Sequence, residues 1–193
     1  MSILYFDCET TSADDDAKLV LAVTRTETET KTWVETPFQC FTKELARKLS
    51  LELIQFDGRI CTFNGAGFDF KVLAKYLDSE NLKKKLIRKC LYDHEDIFFD
   101  FFTSNGYFAS LESFCVGCKL PSKTWSGSES ALAVKNILSG NVSQADTIEI
   151  ISKLDRYCKS DTACLQNLYM YLKQHCRLDR TSMKSGNLSS WTP

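Results

Sequence analysis

The stretch YFDCETT, residues 5–11, places two carboxylates, Asp7 and Glu9, at the end of the apolar run ILYF (3–6). If that run is a buried strand, side chains two residues apart point to the same side of it, so both acids lie together beside an apolar core. Two like charges in such a place repel each other and lose hydration unless something compensates them. The stretch therefore predicts a strand that carries a functional carboxylate pair.

The bulk composition is that of a single domain without a strong charge. The chain has 193 residues, 44% of them hydrophobic, which suffices for one sizeable buried core. Its 24 basic and 25 acidic residues give a net charge of -1, so no overall field attracts polyanions, although a nucleic-acid partner is not excluded. The sequence shows neither a signal segment nor an apolar stretch near the roughly 20 residues of a membrane-spanning helix. We therefore expect a soluble, intracellular protein with no membrane partner.

The nine cysteines point to a reducing compartment. Their number is odd, and most lie inside apolar segments such as RICTF (59–63), which is typical of buried reduced thiols rather than of a disulfide framework. We therefore expect a cytoplasmic or nuclear location. Cys115 and Cys118 match half of a zinc site, but the chain has no second such pair and only two histidines, so buried thiols are the favoured interpretation.

Hydrophobic periodicity predicts an α/β chain. Strands are predicted at residues 2–6, 18–26, 31–36 and 59–63, the first three as an antiparallel meander. Helices are predicted at residues 41–56, from 68 onward, near 94–104, and at 110–117, 128–138 and 146–176. The helix between the meander and the fourth strand indicates a crossover unit, the connection that parallel strands require.

The end of the chain breaks this pattern. After Arg177 the sequence LDRTSMKSGNLSSWTP is polar and aperiodic. Because such a segment offers little apolar surface to bury, we expect a domain over residues 1–176 and a flexible tail over 177–193.

A third acid stands in the segment TFNGAGFDF (62–70). A strand ends at Asn64, two glycines turn the chain, and a helix begins around Phe68 with Asp69 in its first turn. An acid at a helix N-terminus is favoured by the helix dipole alone, which is the simpler interpretation. Asp69 nevertheless shares the inward stripe of Val72 and Tyr76, so its side chain is expected to face the core.

A fourth acid interrupts an apolar stripe in DRYCKSDTACLQNLY (155–169). Cys158, Leu165 and neighbouring apolar residues follow one another at steps of three and four, and the position between those two is Asp161. Tyr157 stands one turn before Asp161, so the hydroxyl and the carboxylate project to the same side of the helix.

Four acids that face inward need a cation between them. Four carboxylates would repel one another and lose hydration, and a bound divalent metal ion would compensate both effects. All-oxygen ligands suit Mg²⁺ or Mn²⁺, and two such ions about 4 Å apart can activate a water and stabilise the leaving oxygen of a phosphoryl displacement. The sequence therefore predicts a site for two metal ions, held by Asp7, Glu9, Asp69 and Asp161.

The three segments FDCET, FNGAGFD and YCKSD, in this order, resemble the motifs of the DEDD 3'-5' exonuclease superfamily, which has a ribonuclease H-like fold. The tyrosine four residues before the last acid matches the tyrosine subtype, whereas the histidine subtype would have histidine where this chain has Arg156. The residues of the three motifs are most similar to those of the proofreading domain of family B DNA polymerases and of stand-alone relatives of that domain. The resemblance covers about residues 2–175, and its specificity lies in three weak motifs occurring together.

The resemblance implies an architecture and an activity. The fold class would be α/β, with a mixed central sheet whose strands 1–3 are antiparallel and whose later strands are parallel, flanked by helices. The activity would be 3'-5' exonuclease cleavage that depends on two ions of Mg²⁺ or Mn²⁺ and releases nucleoside monophosphates from single-stranded or frayed DNA ends.

The resemblance also assigns roles to the acids and the tyrosine. Asp7 would bridge both metals, Glu9 and Asp161 would complete the site of the water-activating metal, and Asp69 would hold the other. Tyr157 would position the attacking water, since a phenol with a pKa near 10 gives limited help as a base.

Four further residues are candidates for substrate binding. Asn64 and Phe68 would support the strand end and the terminal nucleotide, although Phe68 also fits the apolar face of its helix. Lys119 and Lys123 lie near the predicted cleft and would contact phosphates.

Two alternatives stay open on the sequence. The same site could act on RNA, which it would recognise through the 2'-hydroxyl of the sugar. The residues of the motifs nevertheless favour DNA over RNA as the single-stranded partner. A catalytically silent relative could instead bind nucleic acid or a protein through the same cleft. Because the near-neutral charge argues against tight independent binding, a protein partner that delivers the substrate is also plausible.

Overall fold

A computed structural model describes residues 2–122, 125, 127–181 and 188–192. Its centre is a five-stranded sheet, built from β1 (Ile3–Thr10), β2 (Leu19–Arg25), β3 (Thr30–Val34), β4 (Arg59–Thr62) and β5 (His94–Asp96). The strand order is β3-β2-β1-β4-β5. β1, β2 and β3 pair antiparallel, whereas β4 runs parallel to β1 and β5 runs parallel to β4. The predicted mixed sheet is confirmed.

β1 is longer than the sequence predicts. It continues past the apolar run, so Asp7 and Glu9 lie inside the strand, opposite Val23 and Leu21 of β2, and the register shifts only between Glu9 and Thr10. The pairing with β2 supplies the hydrogen bonds that keep these acidic residues extended. Both carboxylates are therefore fixed by the sheet rather than by a loop.

Seven helices surround the sheet in the described part of the chain. They are α1 (Lys43–Gln55), α2 (Asp69–Ala74), α3 (Glu80–Tyr92), α4 (Ile97–Asn105), α5 (Leu111–Gly117), α6 (Gly127–Leu138) and α7 (Gln144–His175). Thr42, Ser79, Ser110 and Ser143 each precede a helix and accept a backbone N–H of its first turn through the hydroxyl, which satisfies an otherwise unpaired donor. Among the described residues, no helix combines the length and the apolar character that crossing a bilayer requires.

The two faces of the sheet bury different helices. Leu4 and Phe6 point to the side covered by α1, α2 and α3, and Cys8 lies on the same side. Tyr5 points to the opposite side, where it packs with residues of α4, α5 and α7. Because side chains alternate along a strand, Asp7 and Glu9 share the Tyr5 side and face α7.

One predicted helix begins later than its pattern indicates. Residues 94–104 were expected to be helical, but His94–Asp96 pair with β4 as a short parallel strand, and α4 begins at Ile97. Three residues are too few to show a two-residue period, so sequence periodicity could not separate this strand from the helix that follows it.

The end of the chain contains two short strands. β6 (Leu178–Thr181) and β7 (Leu188–Trp191) form a two-stranded antiparallel sheet that packs on α5. Leu178 and Trp191 are buried, and the Trp191 ring lies 5.7 Å from that of Phe101 in α4. Residues 178–181 and 188–191 of the segment expected to be a flexible tail are thus strands, while the division into a domain over 1–176 and a tail over 177–193 stays a prediction. Two apolar anchors in a polar segment give no periodic signal.

Gly117→Ala tests the packing of β6 on α5. A Cβ at this position would lie 2.5 Å from the Arg180 Cα and 2.5 Å from the Asp179 carbonyl oxygen. Alanine usually stabilises a helix by about 1 kcal/mol relative to glycine, but a clash with backbone atoms outweighs this gain. We expect the free energy of unfolding in urea to fall by about 1–3 kcal/mol.

The matched control is Gly127→Ala, since a Cβ there would meet no atom of the described residues within 4 Å, apart from its neighbours in the chain. This variant should be as stable as the parent or slightly more stable. Equal stability of Gly117→Ala and the parent would contradict the docking of β6.

Candidate functional site

An open cleft of about 650 Å³ lies beside β1, between α6, α7 and the start of α5. Three of the four acids singled out by the sequence line it, namely Asp7 and Glu9 from β1 and Asp161 from α7. Tyr157 of α7 lines the same cleft. Strand and helix thus bring together residues that are about 150 positions apart in the chain.

In the part of the chain that the structure describes, Asp7, Glu9 and Cys158 form a group of possible metal ligands. One ligand atom from each residue lies within 4.8 Å of the other two. The Cys158 thiol donates a hydrogen bond to Asp7 Oδ2 at 3.3 Å and lies 3.6 Å from the Asp7 carbonyl oxygen. Two carboxylates are hard ligands and the sulfur is a soft one, so this donor set can hold a divalent ion.

Tyr157 and Asp161 form a pair on one face of α7. Both side chains are buried, and the Tyr157 hydroxyl is hydrogen-bonded to the Asp161 carboxylate one turn later. The Trp125 ring stands edge-on to the Tyr157 ring at 5.8 Å, which fixes the ring's direction. Burial, followed by the negative charge of Asp161, raises the pKa of Tyr157, so the phenol stays protonated at neutral pH.

Asp69 lies behind β1 and does not line the cleft. It is 4% exposed, and its Oδ1 accepts hydrogen bonds from the Cys8 backbone N–H at 3.1 Å and from the Cys8 thiol at 2.8 Å. Burial raises the pKa of Asp69 to about 6, although the Cys8 hydrogen bonds act in the opposite direction. The inward orientation predicted from the helical stripe agrees with this burial.

The four acids act on one another electrostatically. Burial is the largest cause that raises the pKa of Asp7 well above its ordinary value, followed by the charges of Asp161, Asp69 and Glu9. The hydrogen bond from Cys158 opposes this rise. Asp7 is therefore the centre of the carboxylate group, and a cation bound there would relieve repulsion from three sides.

A protein-family model described as the RNase_H superfamily matches residues 4–173. The chain belongs to the ribonuclease H superfamily. The predicted ribonuclease H-like α/β fold is thereby confirmed. No curated protein matches the sequence.

This ribonuclease H superfamily chain is similar to parts of two larger proteins of known structure. The family B DNA polymerase from the archaeon Pyrobaculum calidifontis is 15% identical over 90% of this chain, with a TM-score of 0.60. A zinc-bound complex of E. coli ExoI with single-stranded DNA is 13% identical over 98% of this chain, with a TM-score of 0.39. The chain spans 24% of the polymerase and 50% of the ExoI chain. The polymerase likeness shows the shared fold.

Ser130 is a site residue that sequence reasoning missed. Its hydroxyl lies in α6, where it bonds Glu9 Oε2 at 2.8 Å and the Gly127 carbonyl oxygen at 2.9 Å. Glu9 is 6% exposed, so this bond helps to fix a buried carboxylate. The pairing joins residues 121 positions apart, and a serine in the polar sequence SGSES gives no signal of it.

Asp96 supports the loop of the second motif. Its carboxylate accepts the backbone N–H groups of Asn64 at 2.8 Å and Ala66 at 2.9 Å, and it also caps α4 through Phe99 at 3.2 Å. The sequence analysis missed the contact with the loop, because the bonded residues are about 30 positions apart. Asp96 therefore positions the turn that leads from β4 into Asp69.

The four predicted substrate residues have different surroundings. Phe68 is half-buried, lines the cleft and packs against the core on the α1 side of the sheet. Asn64 adopts a positive φ of 69° in the turn after β4 and does not line the cleft. Lys119 is exposed at the end of α5, also outside the cleft lining, and Lys123 lies outside the described residues. Among the described residues, Lys135 of α6 is the basic residue that lines the cleft, and the sequence analysis did not single it out.

Gly65 shows why the second motif contains glycine. A Cβ at this position would lie 2.4 Å from the Thr62 hydroxyl oxygen. The same hydroxyl accepts the Gly65 N–H at 3.0 Å. Glycine is therefore required for the close packing of the turn on its own strand.

The stability of the metal-free protein should fall as pH rises through the pKa of Asp69. The folded-state pKa of about 6 lies above the ordinary value of 3.8, so the folded state binds the proton more tightly. The resulting stabilisation is complete below pH 3.8 and is lost as pH rises through about 6. Relative to Asp69→Asn, the parent should lose on the order of 2–3 kcal/mol over this range.

Urea unfolding of both proteins in chelator, at a series of pH values, measures this difference. The comparison cancels the contributions of titrating groups that do not interact with Asp69. A difference that stays constant from pH 3.8 to 6 would show that Asp69 is not held in the surroundings described.

Proposed function

We propose that this ribonuclease H superfamily chain is a metal-dependent 3'-5' exonuclease of the tyrosine-subtype DEDD superfamily. It would remove nucleoside monophosphates from the 3' end of single-stranded or frayed DNA. The observation that carries the proposal is the convergence of Asp7, Glu9 and Asp161 on one open cleft, beside a tyrosine hydroxyl bonded to the last of them. Buried carboxylates that raise one another's pKa in a cleft are a physical sign of a functional site.

The donor set supports binding of divalent ions. Asp7, Glu9 and Asp161 would hold them from the cleft, with Asp7 as the shared ligand, and Asp69 would contribute from behind β1. Oxygen donors suit Mg²⁺ or Mn²⁺, and the raised pKa of Asp7 reflects repulsion that a bound cation relieves. Two such ions, when bound, supply a water activated at neutral pH and stabilisation of the leaving oxygen.

The residues around the acids would orient them. The Cys8 N–H and thiol fix the direction of Asp69, while the Ser130 hydroxyl fixes that of Glu9. Such outer bonds commonly change metal affinity or activity about 10–100-fold when they are removed.

Tyr157 would position the attacking water. Its hydroxyl stays protonated because burial and the charge of Asp161 raise its pKa, so it acts through hydrogen bonds and not as a base. The packing of its ring against Trp125 keeps the hydroxyl directed at the acids.

The substrate would enter along the cleft. Lys135 lines it and would attract a phosphate, and Phe68 would contact the terminal nucleotide from the other wall. The residues of the motifs favour DNA over RNA as the substrate. The net charge of -1 fits a protein that a partner brings to its substrate. The nine free thiols fit a reducing compartment, and the catalytic domain would span residues 1–176.

The test is a time course on matched 5'-labelled single-stranded DNA and RNA, with Mg²⁺ or Mn²⁺ and with chelator. The proposal predicts a metal-dependent ladder that shortens from the 3' end, faster on DNA. A faster ladder on RNA would assign the same site to an exoribonuclease. Absence of cleavage on both strands with both metals would contradict the proposal and favour a silent nucleic-acid-binding relative.

A further inference from the structure

Three phenylalanine rings stack on one another at the surface beside the cleft. Phe98 and Phe102 stand one turn apart on α4, with ring planes only 5° apart. Phe108 stacks on Phe102 at 4.8 Å and 14°, and on Phe98 at 5.6 Å and 17°. We call Phe98, Phe102 and Phe108 the aromatic platform.

The platform presents a large aromatic surface to solvent. Phe98 and Phe102 are half-buried, whereas 71% of the surface of Phe108 is exposed although this ring packs on both of them. An exposed Phe forgoes about 1.5–3 kcal/mol of burial free energy, and clustered exposed apolar rings commonly mark a binding surface.

The platform is continuous with the wall of the cleft. The Phe98 ring contacts that of Phe63 edge-on at 5.6 Å, and Phe63 itself lines the cleft. Along the chain, Phe108 stands two residues before Ser110, which also lines the cleft. A strand whose 3' end lies at the carboxylates can therefore pass from the cleft onto the platform.

A cation lies on the aromatic ring that precedes Phe108 in the chain. The Arg180 guanidinium carbon is 4.4 Å from the centroid of Tyr107, the residue before Phe108. A guanidinium held on an aromatic ring can attract a phosphate backbone, and exposed aromatic rings can stack on its bases.

We propose that the aromatic platform binds unpaired nucleobases of the substrate strand, on the 5' side of the nucleotide in the cleft. The inference rests on the proposed exonuclease function and adds a second subsite to it. Parallel rings with one exposed face suit the flat face of a base, and such stacking is tolerant of sequence because every base has a π face.

The experiment measures binding of fluorescent single-stranded oligodeoxyadenylates by anisotropy, in chelator so that hydrolysis does not compete. Phe108→Ala should weaken binding of a decanucleotide about ten-fold and leave binding of a dinucleotide unchanged, since only the longer strand reaches the platform. Phe108→Tyr, which keeps a ring, should bind like the parent.

Phe99→Ala is the matched control, because Phe99 is a 52% exposed phenylalanine outside the platform, on the helix α4 that carries Phe98 and Phe102. It should bind both oligonucleotides like the parent. A second comparison uses a decanucleotide with abasic sites on its 5' side: the parent should lose affinity for it, and Phe108→Ala should lose none further.

Equal decanucleotide binding by Phe108→Ala and the parent would overturn the inference and favour a protein partner for the platform. If the parent also cuts DNA from its 3' end, the exonuclease proposal stands without the platform. If the parent neither binds nor cleaves single-stranded DNA or RNA, both the platform inference and the exonuclease proposal are overturned.

Discussion

Replacement of Asp7 by asparagine is expected to lower the rate of DNA hydrolysis more than about 100-fold, because loss of an outer-shell partner alone costs about 10–100-fold. Asp7 lies at the centre of the carboxylate group, where Asp161, Asp69 and Glu9 all act on its pKa. Asparagine keeps the size of the side chain but removes the charge that a shared metal ligand needs. Steady-state hydrolysis of a labelled single strand in Mg²⁺ measures the effect.

The same substitution should leave the metal-free fold as stable as the parent or make it more stable. Burial and three neighbouring acids oppose the ionised form of Asp7, so a neutral side chain relieves repulsion there. Urea unfolding in chelator checks this expectation. Asp16→Asn is the control, since it removes an exposed acid from the loop after β1 and should change neither rate nor stability.

An Asp7→Asn protein that folds normally and hydrolyses DNA at the parent rate would remove Asp7 from the catalytic centre. Loss of the fold would show that the side chain has a structural role instead.

Tyr157→Phe is expected to lower kcat about ten- to a hundred-fold while metal binding stays intact, because small losses of positioning have effects of this size. The variant keeps the ring that packs against Trp125 and removes only the hydroxyl bonded to Asp161. Calorimetric titration with Mn²⁺ measures metal binding, and single-turnover hydrolysis measures the chemical step.

Tyr92→Phe provides the control for this prediction. Tyr92 also stands four residues before an acid, Asp96, but it is 72% exposed and lies away from the cleft lining. It should cleave DNA like the parent. A Tyr157→Phe protein with the parent kcat would contradict the positioning role, and one that no longer folds would make Tyr157 a packing residue.

Much of the site could be predicted from the sequence, because its residues belong to periodic local patterns. The carboxylate pair on β1 follows from alternation along a strand, and Asp161 follows from a gap in the apolar stripe of α7. The structure brings Asp7, Glu9, Tyr157 and Asp161 to one cleft. Each of these positions is decided within a few residues, which a sequence displays directly.

Contacts between distant segments leave no such trace. Ser130 meets Glu9, and Asp96 meets the turn after β4, through single hydrogen bonds between residues far apart in the chain. The strands β5, β6 and β7 have three or four residues each, too short for a period. Pairing with neighbours and two buried anchors, Leu178 and Trp191, decide these elements, and both depend on the tertiary fold.

The most direct test of the carboxylate centre is mass spectrometry of the products from an unlabelled single-stranded DNA, incubated with Mg²⁺ in heavy-oxygen water. If the protein is a hydrolytic 3'-5' exonuclease, the products are nucleoside monophosphates that each carry one heavy oxygen, together with strands shortened from the 3' end. Asp7→Asn should yield neither product. Internal fragments, intact DNA with the parent, or equal products from Asp7→Asn would contradict the assignment.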